Sequence, residues 1–371
     1  MNNKKFISIY VRNKEITPSS YYRVVQYVSK LEGRITINSM STKGIYSMHL
    51  NSHQENKIKW FLISAIYFFI ILCRSTYFLI RDCMIKPKYI IISKSICPRY
   101  TPYYLKLLIL KLVKNTVVYW DFDDYIFSGE ISKTEAEILE KYSNKIVVTN
   151  EFLKAKIKPQ YQDKVILLPT TDGDMQGYNK RELRKKRKVL FDREIKLIWV
   201  ATSGNIPNLK KIISSLDKAA KIVSESYDKK LVLTIVCNKS VNVHLEYLEI
   251  RNIKWTRDIA IKEIFNSHIG IMPLLHNEYS LGKGGFKLVQ YISTGLPVIA
   301  SNVGFNSEIV NESCGFLLDD RKDPDVWIDA IIKIISSWNY WVSYSECAME
   351  RWNKKFSFNN NLMTWKKLLD S

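Results

Sequence analysis

Short runs rich in Ile, Val and aromatic residues, each followed by a longer stretch of helical periodicity, recur along the whole chain. No other feature of the sequence narrows its fold so far. The runs fall near 6–11, 35–38, 89–93, 116–120, 145–149 and 165–168, and again near 196–200, 231–237, 252–255, 269–272 and 297–300. Such alternation predicts βαβ units and mostly parallel sheets, because a crossover long enough to return the chain parallel is usually a helix. Between the two series, 179–188 carries Lys180, Arg181, Arg184, Lys185, Lys186, Arg187 and Lys188 against the single acid Glu182. That run reads as an inter-domain connector. A chain of 371 residues suits two domains. The expected organisation is a doubly wound α/β domain over 1–178, a basic linker over 179–194, a second doubly wound domain over 195–345 and a helical segment over 346–371.

The 56 Lys and Arg against 36 Asp and Glu, a net charge of +20, attract phosphate on nucleic acid, anionic lipid or a nucleotide. A nucleic-acid-binding protein is the weaker reading, because no helix-turn-helix, zinc-finger or RNP-type motif appears and the densest basic run falls in the proposed linker. The six cysteines stand singly, with no CxxC, so a disulfide frame is not expected and a reducing cytosol is. His49, His53, His244, His268 and His276 have no ligand-like spacing, and no metal site is expected. Residues 60–73 carry no charge, and the apolar run resumes after Arg74 as far as Ile80. A bilayer-crossing helix there would part the strands before it from the strands near 90 and 117, with which they are expected to share a sheet. A buried helix, or one lying on a membrane surface, is expected instead.

Open parallel sheets bind ligands beyond the carboxyl ends of their strands, so the residues there are the candidates. Gly282-Lys283-Gly284-Gly285 enters a helix that continues through Lys287 and Gln290. Glycines permit close backbone approach, the helix start offers N–H groups and Lys283 adds charge where a diphosphate would sit; the alternative is a glycine-rich helix entrance without a ligand. Trp120-Asp121-Phe122-Asp123-Asp124 puts three carboxylates after a predicted strand. They can orient an acceptor hydroxyl or take its proton, or they form a solvated turn or helix cap. Asp123, with Asp121 on the same face, is the expected catalytic group. Ser19 and Ser20 open a helix that they either cap or turn toward phosphate, with Arg23 as an added anchor. Ser203 and Gly204 follow the first strand of the second series, with Lys210 and Lys211 beyond, and allow a diphosphate close. His276 lies near the glycine loop.

Residues 283–308, with GKGGFK, QYISTGLPVIAS and VGFNSEIV, resemble the C-domain signature of bacterial glycosyltransferase family 4. More weakly, 18–27, 120–124, 168–170, 197–202 and 270–274 resemble a branch of that family found in polysaccharide gene clusters. The resemblance implies a GT-B fold, two Rossmann-like domains facing across a cleft with the C-terminal helix packed back on the N-domain. It implies a nucleotide-sugar donor held by the C-domain and a glycan or lipid-linked acceptor approached from the N-domain. Transfer would be metal-independent and retaining and would need no separate cofactor. For such an enzyme in the cytoplasm, the net positive charge is expected to dock on an anionic membrane face, with 60–80 as an apolar contact. Trp255 and Arg257 fall where the nucleobase lies in such enzymes, although Trp255 also suits the core. Many members carry a Glu-x7-Glu pair where this chain has Gly282 and Gln290. The resemblance leaves Gln290 a hydrogen bond to ribose, and gives the first Glu's role to the amides of Gly284 and Gly285. Loss of both acids also leaves open a non-catalytic partner subunit.

Overall fold

The structure, a computed structural model, describes residues 5–52, 57–97 and 99–370. His53 lies outside them. The chain divides into two compact units, Met1–Thr170 with Asn361–Ser371, and Thr171–Asn360.

In unit 1 the strands are β1 (Phe6–Val11), β2 (Arg34–Ser39), β3 (Tyr89–Ser93), β4 (Val117–Phe122), β5 (Lys145–Val148) and β6 (Val165–Leu167). The helices are α1 (Pro18–Arg23), α2 (Lys43–Ser52), α3 (Lys57–Ile85), α4 (Tyr103–Val113), α5 (Lys133–Tyr142) and α6 (Glu151–Ala155). The strands form one parallel sheet in the order β2-β1-β3-β4-β5-β6, with Ile9 beside Ile91 and Ile92 beside Trp120. Alternate side chains point to opposite faces. Ile90, Ile92, Val118 and Trp120 meet Ile71, Leu79, Leu105 and Ile109 of α3 and α4 in one core. From the other face, the Tyr119 hydroxyl donates to the Leu368 carbonyl.

Unit 2 repeats the plan with β7 (Glu194–Val200), β8 (Lys230–Cys237), β9 (Glu249–Lys254), β10 (Ile269–Met272), β11 (Val298–Ser301) and β12 (Gly315–Leu318), ordered β12-β11-β10-β7-β8-β9 and parallel throughout. Its helices are α7 (Lys180–Phe191), α8 (Ile206–Lys210), α9 (Ile213–Tyr227), α10 (Arg257–Phe265), α11 (Glu278–Leu281), α12 (Phe286–Ser293), α13 (Asn306–Ile309), α14 (Val326–Ile335) and α15 (Trp338–Arg351). The last helix, α16 (Phe358–Asp370), runs into unit 1.

Three expectations change. The basic run is not a connector: it is helix α7 of unit 2, with Leu183, Arg187 and Phe191 buried at intervals of four. Arg187 is buried because its guanidinium donates to the carbonyls of Ile264, Phe265 and Thr294, so one cation of the run is an internal brace. The closing helix is interrupted: a π-helical turn at Trp352–Phe356 and an extended Ser357 separate α15 from α16. It is α16 that returns to unit 1, with Asn361, Trp365, Leu368 and Leu369 buried on one face and the Trp365 indole donating to the Arg23 carbonyl at 3.2 Å. Finally, β12 is a strand the periodicity does not show, being four residues long and mostly half-exposed at a sheet edge.

Candidate functional site

In unit 1 the acidic motif divides. Asp121 lies inside β4, fully buried, and receives Arg23 Nη2 at 2.5 Å and Nε at 3.1 Å. The rest of the Arg23 guanidinium goes to the Leu168 carbonyl and, at 3.4 Å, to Thr170 Oγ1. The two expected site residues therefore neutralise each other and tie α1 to the ends of β4 and β6. Removing either would strand a buried charge. Arg23 is no phosphate anchor here, and Asp121 is a structural carboxylate. Ser19 and Ser20 do not cap α1 either: its N-cap is Thr17, without a side-chain hydrogen bond, Pro18 takes the first turn, and Ser20 is buried. Proline suits that position because its φ is already helical and its missing N–H would have no intrahelical partner.

Asp123 stands apart. It is 9% exposed, and its Oδ1 accepts no hydrogen bond among the described residues. Its nearest cation is Lys94 Nζ at 3.5 Å, which also meets Asp124 Oδ2 at 2.8 Å and Glu130 Oε2 at 3.4 Å. Burial first, then the neighbouring Asp124, pushes the Asp123 carboxyl up to about 6, against the pull of Lys94. Burial works against the charge on Lys94, but Asp124, Asp123 and Glu130 outweigh it and hold that lysine well above its usual value. Lys94 follows β3 directly and has φ +65°. Left-handed backbone is uncommon outside glycine and clusters at functional positions. Residue type alone does not mark Lys94 in the sequence; its place at a strand end is the available signal.

In unit 2 the glycine loop joins α11 to α12. Gly285 has φ +61°, and a Cβ there would lie 2.3 Å from Ile309 Cδ1, so the sharp entry to α12 requires glycine. Leu288, Val289, Tyr291 and Ile292 anchor the helix in the core, and the Tyr291 hydroxyl accepts the Val200 amide at 2.9 Å, fixing α12 to the end of β7. The amides of Gly284 and Gly285 have no acceptor among the described residues. Lys283 lies with its Nζ 4.4 Å from the Tyr279 ring centre.

Gln290 departs from expectation. It is buried, receives Lys287 Nζ at 3.0 Å on Oε1 and donates to Asp172 Oδ2 at 2.5 Å. Both ends of its amide are occupied, so in this conformation it supports the loop rather than offering a ribose contact. Burial pushes the Lys287 ammonium down to about 8, opposed by Asp172, and burial pushes the Asp172 carboxyl up to about 6, opposed by Gln290. Asp172 in turn accepts the Asp174 amide at 2.8 Å, and Asp174 Oδ2 lies 3.9 Å from Arg257 Nη1. The turn 172–174 thus connects Arg257 with Gln290 and Lys287. Sequence reasoning missed it; the only signal was a Gly-Asp turn after a strand.

Trp255 is half-buried against the unit 2 core at the end of β9. Ser203 is held by Asn238, whose Oδ1 accepts the Ser203 amide at 2.7 Å. Gly204 is exposed, and a Cβ there would meet nothing within 4 Å. Neither Ser203 nor Gly204 bonds to the glycine loop. Lys211 Nζ reaches buried Asp320 Oδ1 at 3.0 Å, with His276 Nε2 at 3.8 Å from the same oxygen, while Ser301 and Trp327 donate to Oδ2. Among the described residues no cluster of three His, Cys, Asp or Glu side chains is arranged to hold a metal.

With this geometry in view, residues 197–337 match the family model described as Glycosyl transferases group 1, a segment that contains the glycine loop. The chain also superposes on solved structures. A glycosyltransferase from Rickettsia africae ESF-5 matches with TM-score 0.61 at 14% identity, over 99% of this chain and 98% of that one. Alr3699/HepE of Anabaena in complex with UDP matches with TM-score 0.66 at 8% identity, over 99% of each chain. Sucrose-phosphate synthase from Thermosynechococcus elongatus matches with TM-score 0.53 at 13% identity, over 81% of this chain and 77% of that one. The fold is GT-B. No curated protein matches the sequence. At these identities the structural likeness establishes architecture, and chemistry has to be argued from the site.

Proposed function

We propose that this chain is a nucleotide-sugar-dependent glycosyltransferase that extends a glycan or lipid-linked glycan of a bacterial surface polysaccharide, such as capsule, O-antigen or exopolysaccharide. The observation that carries the proposal is the pair of Gly284 and Gly285 amides at the start of α12, which have no acceptor among the described residues and lie inside the segment matched by the family model. When the bond from the anomeric carbon to the donor phosphate breaks, negative charge grows on the departing diphosphate. Fixed amides and a helix N-terminus stabilise that charge without reorganising, and Lys283 and Lys287 add cations beside them. The same donors support metal-independent transfer. Retention at the anomeric carbon follows the resemblance of 283–308 to a retaining family. Asp123, whose buried Oδ1 accepts no hydrogen bond among the described residues and lies 3.5 Å from Lys94 Nζ, and whose carboxyl is pushed up to about 6, is assigned to orient the acceptor hydroxyl and take its proton. Trp255 and Arg257 are assigned to the nucleobase side of the donor. A cytoplasmic setting suits six cysteines that are all free.

UDP is the first nucleotide to test, since the Anabaena neighbour is solved with it. Thermal shift of the full chain against UDP, GDP, CMP, dTDP and their sugar conjugates is expected to pick out one nucleotide, because a ligand of the folded state alone raises its stability. Lys283→Ala should abolish the shift and lower transfer about a hundredfold. A shift without turnover on any glycan acceptor would favour a non-catalytic subunit. No shift at all, with salt-sensitive retention on nucleic acid, would overturn the transferase reading.

A further inference from the structure

Helix α3 has two faces that its composition does not distinguish. Tyr67, Ile71, Ser75, Leu79 and Asp82 recur at three- and four-residue intervals and are buried. Asp82 accepts from the hydroxyls of Ser8 and Tyr10 in β1, so this stripe is fastened to the sheet. Leu62, Ile66, Phe69, Tyr77, Ile80 and Met84 recur with the same spacing on the opposite face and are exposed, Phe69 by 65% and Met84 by 70%. Exposed Cys73 lies on that second stripe. Helix α4 packs against α3, with Tyr103, Leu107 and Lys111 exposed along one side and exposed Lys114 just past its end.

A face this apolar marks an interaction surface. By length and composition α3 is long and apolar enough to cross a membrane. Crossing conflicts with the sheet: β1 and β2 precede α3, β3 follows it, and β1 pairs in register with both neighbours. A second copy of the chain is disfavoured by charge. Residues 43–114 hold twelve Lys and Arg against two acids, Glu55 and Asp82; Lys43, Arg81 and Lys94 pair with acids, and the remaining nine still far outnumber those two. Like charges brought face to face across an interface repel.

We propose that the exposed face of α3, with the adjoining face of α4, lies in the plane of an anionic bilayer, its apolar stripe in the acyl boundary and the lysines of α4 among the headgroups. Interfacial helices combine these two elements, and tyrosines such as Tyr77 and Tyr103 suit the boundary between them. This inference rests on unit 1 alone and stands or falls independently of donor chemistry.

The full-length chain is mixed with phosphatidylcholine vesicles with or without phosphatidylglycerol, and partition is measured by flotation. Binding is expected only with the anionic lipid and should weaken with salt. Lys111→Ala and Lys114→Ala should each lower it about fivefold, the scale of one lysine at a charged surface. The double variant Phe69→Ser, Tyr77→Ser should lower it tenfold or more while keeping the wild-type melting temperature. A polarity-sensitive dye on Cys73, with Cys83 and Cys347 replaced by Ser, should brighten on anionic vesicles. Equal binding to neutral vesicles, a dye that stays dim on bound protein, or resistance to alkaline carbonate extraction would overturn in-plane docking. A stable dimer dissolved by the Phe69 and Tyr77 changes, without vesicle binding, would overturn it in favour of a copy interface.

Discussion

The carboxyl end of β4 in unit 1 and the glycine loop that follows β10 and α11 in unit 2 both lie past strands of parallel sheets, and they are built from different chemistry. In unit 1 the polar groups are side chains: Arg23 neutralises Asp121, and Lys94 is shared among Asp123, Asp124 and Glu130. In unit 2 the glycine loop offers backbone amides, and the side chains around it, Lys287, Gln290 and Asp172, hydrogen-bond to one another in support. A side-chain cluster titrates and can be retuned by a neighbouring charge. A backbone cradle depends on φ, ψ and the absence of a Cβ, and is indifferent to pH until its lysines lose their protons. The first arrangement suits proton transfer and the second suits a fixed anion.

That contrast can be broken in four places. The largest effect is expected from Asp123→Asn, which should cut transfer about a thousandfold, within the range for a lost general base, while nucleotide affinity stays unchanged. Its stability should move the other way. The Asp123 carboxyl is raised to about 6 from 3.8, so the folded state binds this proton more tightly than the unfolded one, and the group subtracts stability as pH rises through that interval. At pH 7 the Asn variant should melt at or above the parent temperature; a lower melting point would make Asp123 structural. Next, Gly285→Ala should cost about 1–3 kcal/mol and remove nucleotide-induced stabilisation, since the new Cβ meets Ile309 in left-handed backbone. Unchanged nucleotide binding would remove the cradle from the donor site. Lys94→Met should spare nucleotide binding and shift the acidic limb of the pH–rate profile, expected near 6, to higher pH, because Lys94 opposes the rise in the Asp123 pKa. A limb that stays put would uncouple the two residues. Smallest of all, Gly204→Ala should leave melting within about 0.5 kcal/mol, as for open surface positions. Lost nucleotide affinity in that folded variant would identify close ligand approach as the reason for glycine there.

Two helices show where the sequence was readable and where it was not. The β-branched runs located eleven of the twelve strands: the central ones are buried on both faces and so apolar along their length, while β2, β6 and β9, though more exposed, still carry Ile or Val. From its sequence helix α7 reads as a connector because its charge hides a buried stripe, in which Leu183, Arg187 and Phe191 face the unit and Arg187 finds three carbonyl acceptors. Helix α3 presented the reverse difficulty. It is apolar nearly all round, so periodicity could not tell its sheet-facing stripe from its exposed one, and the hydrogen bonds of Asp82 made the distinction.

At the candidate site the same division holds. The glycine loop was legible because glycine pattern and helix entry are local properties, carried by Gly282 to Gln290 themselves. The roles of Asp121, Arg23 and Gln290 were not, because their partners lie far away in sequence: Arg23 and Asp121 are 98 residues apart, and Gln290 and Asp172 are 118 apart. By itself the sequence determined two parallel α/β units, the order of their strands along the chain and the place of the glycine turn, all set by short-range periodicity and backbone sterics. Only the tertiary structure decided which charges neutralise one another, which buried carboxylate oxygen accepts no hydrogen bond among the described residues and which side of α3 is left exposed. Those outcomes depend on burial and on partners that residue type and spacing do not encode.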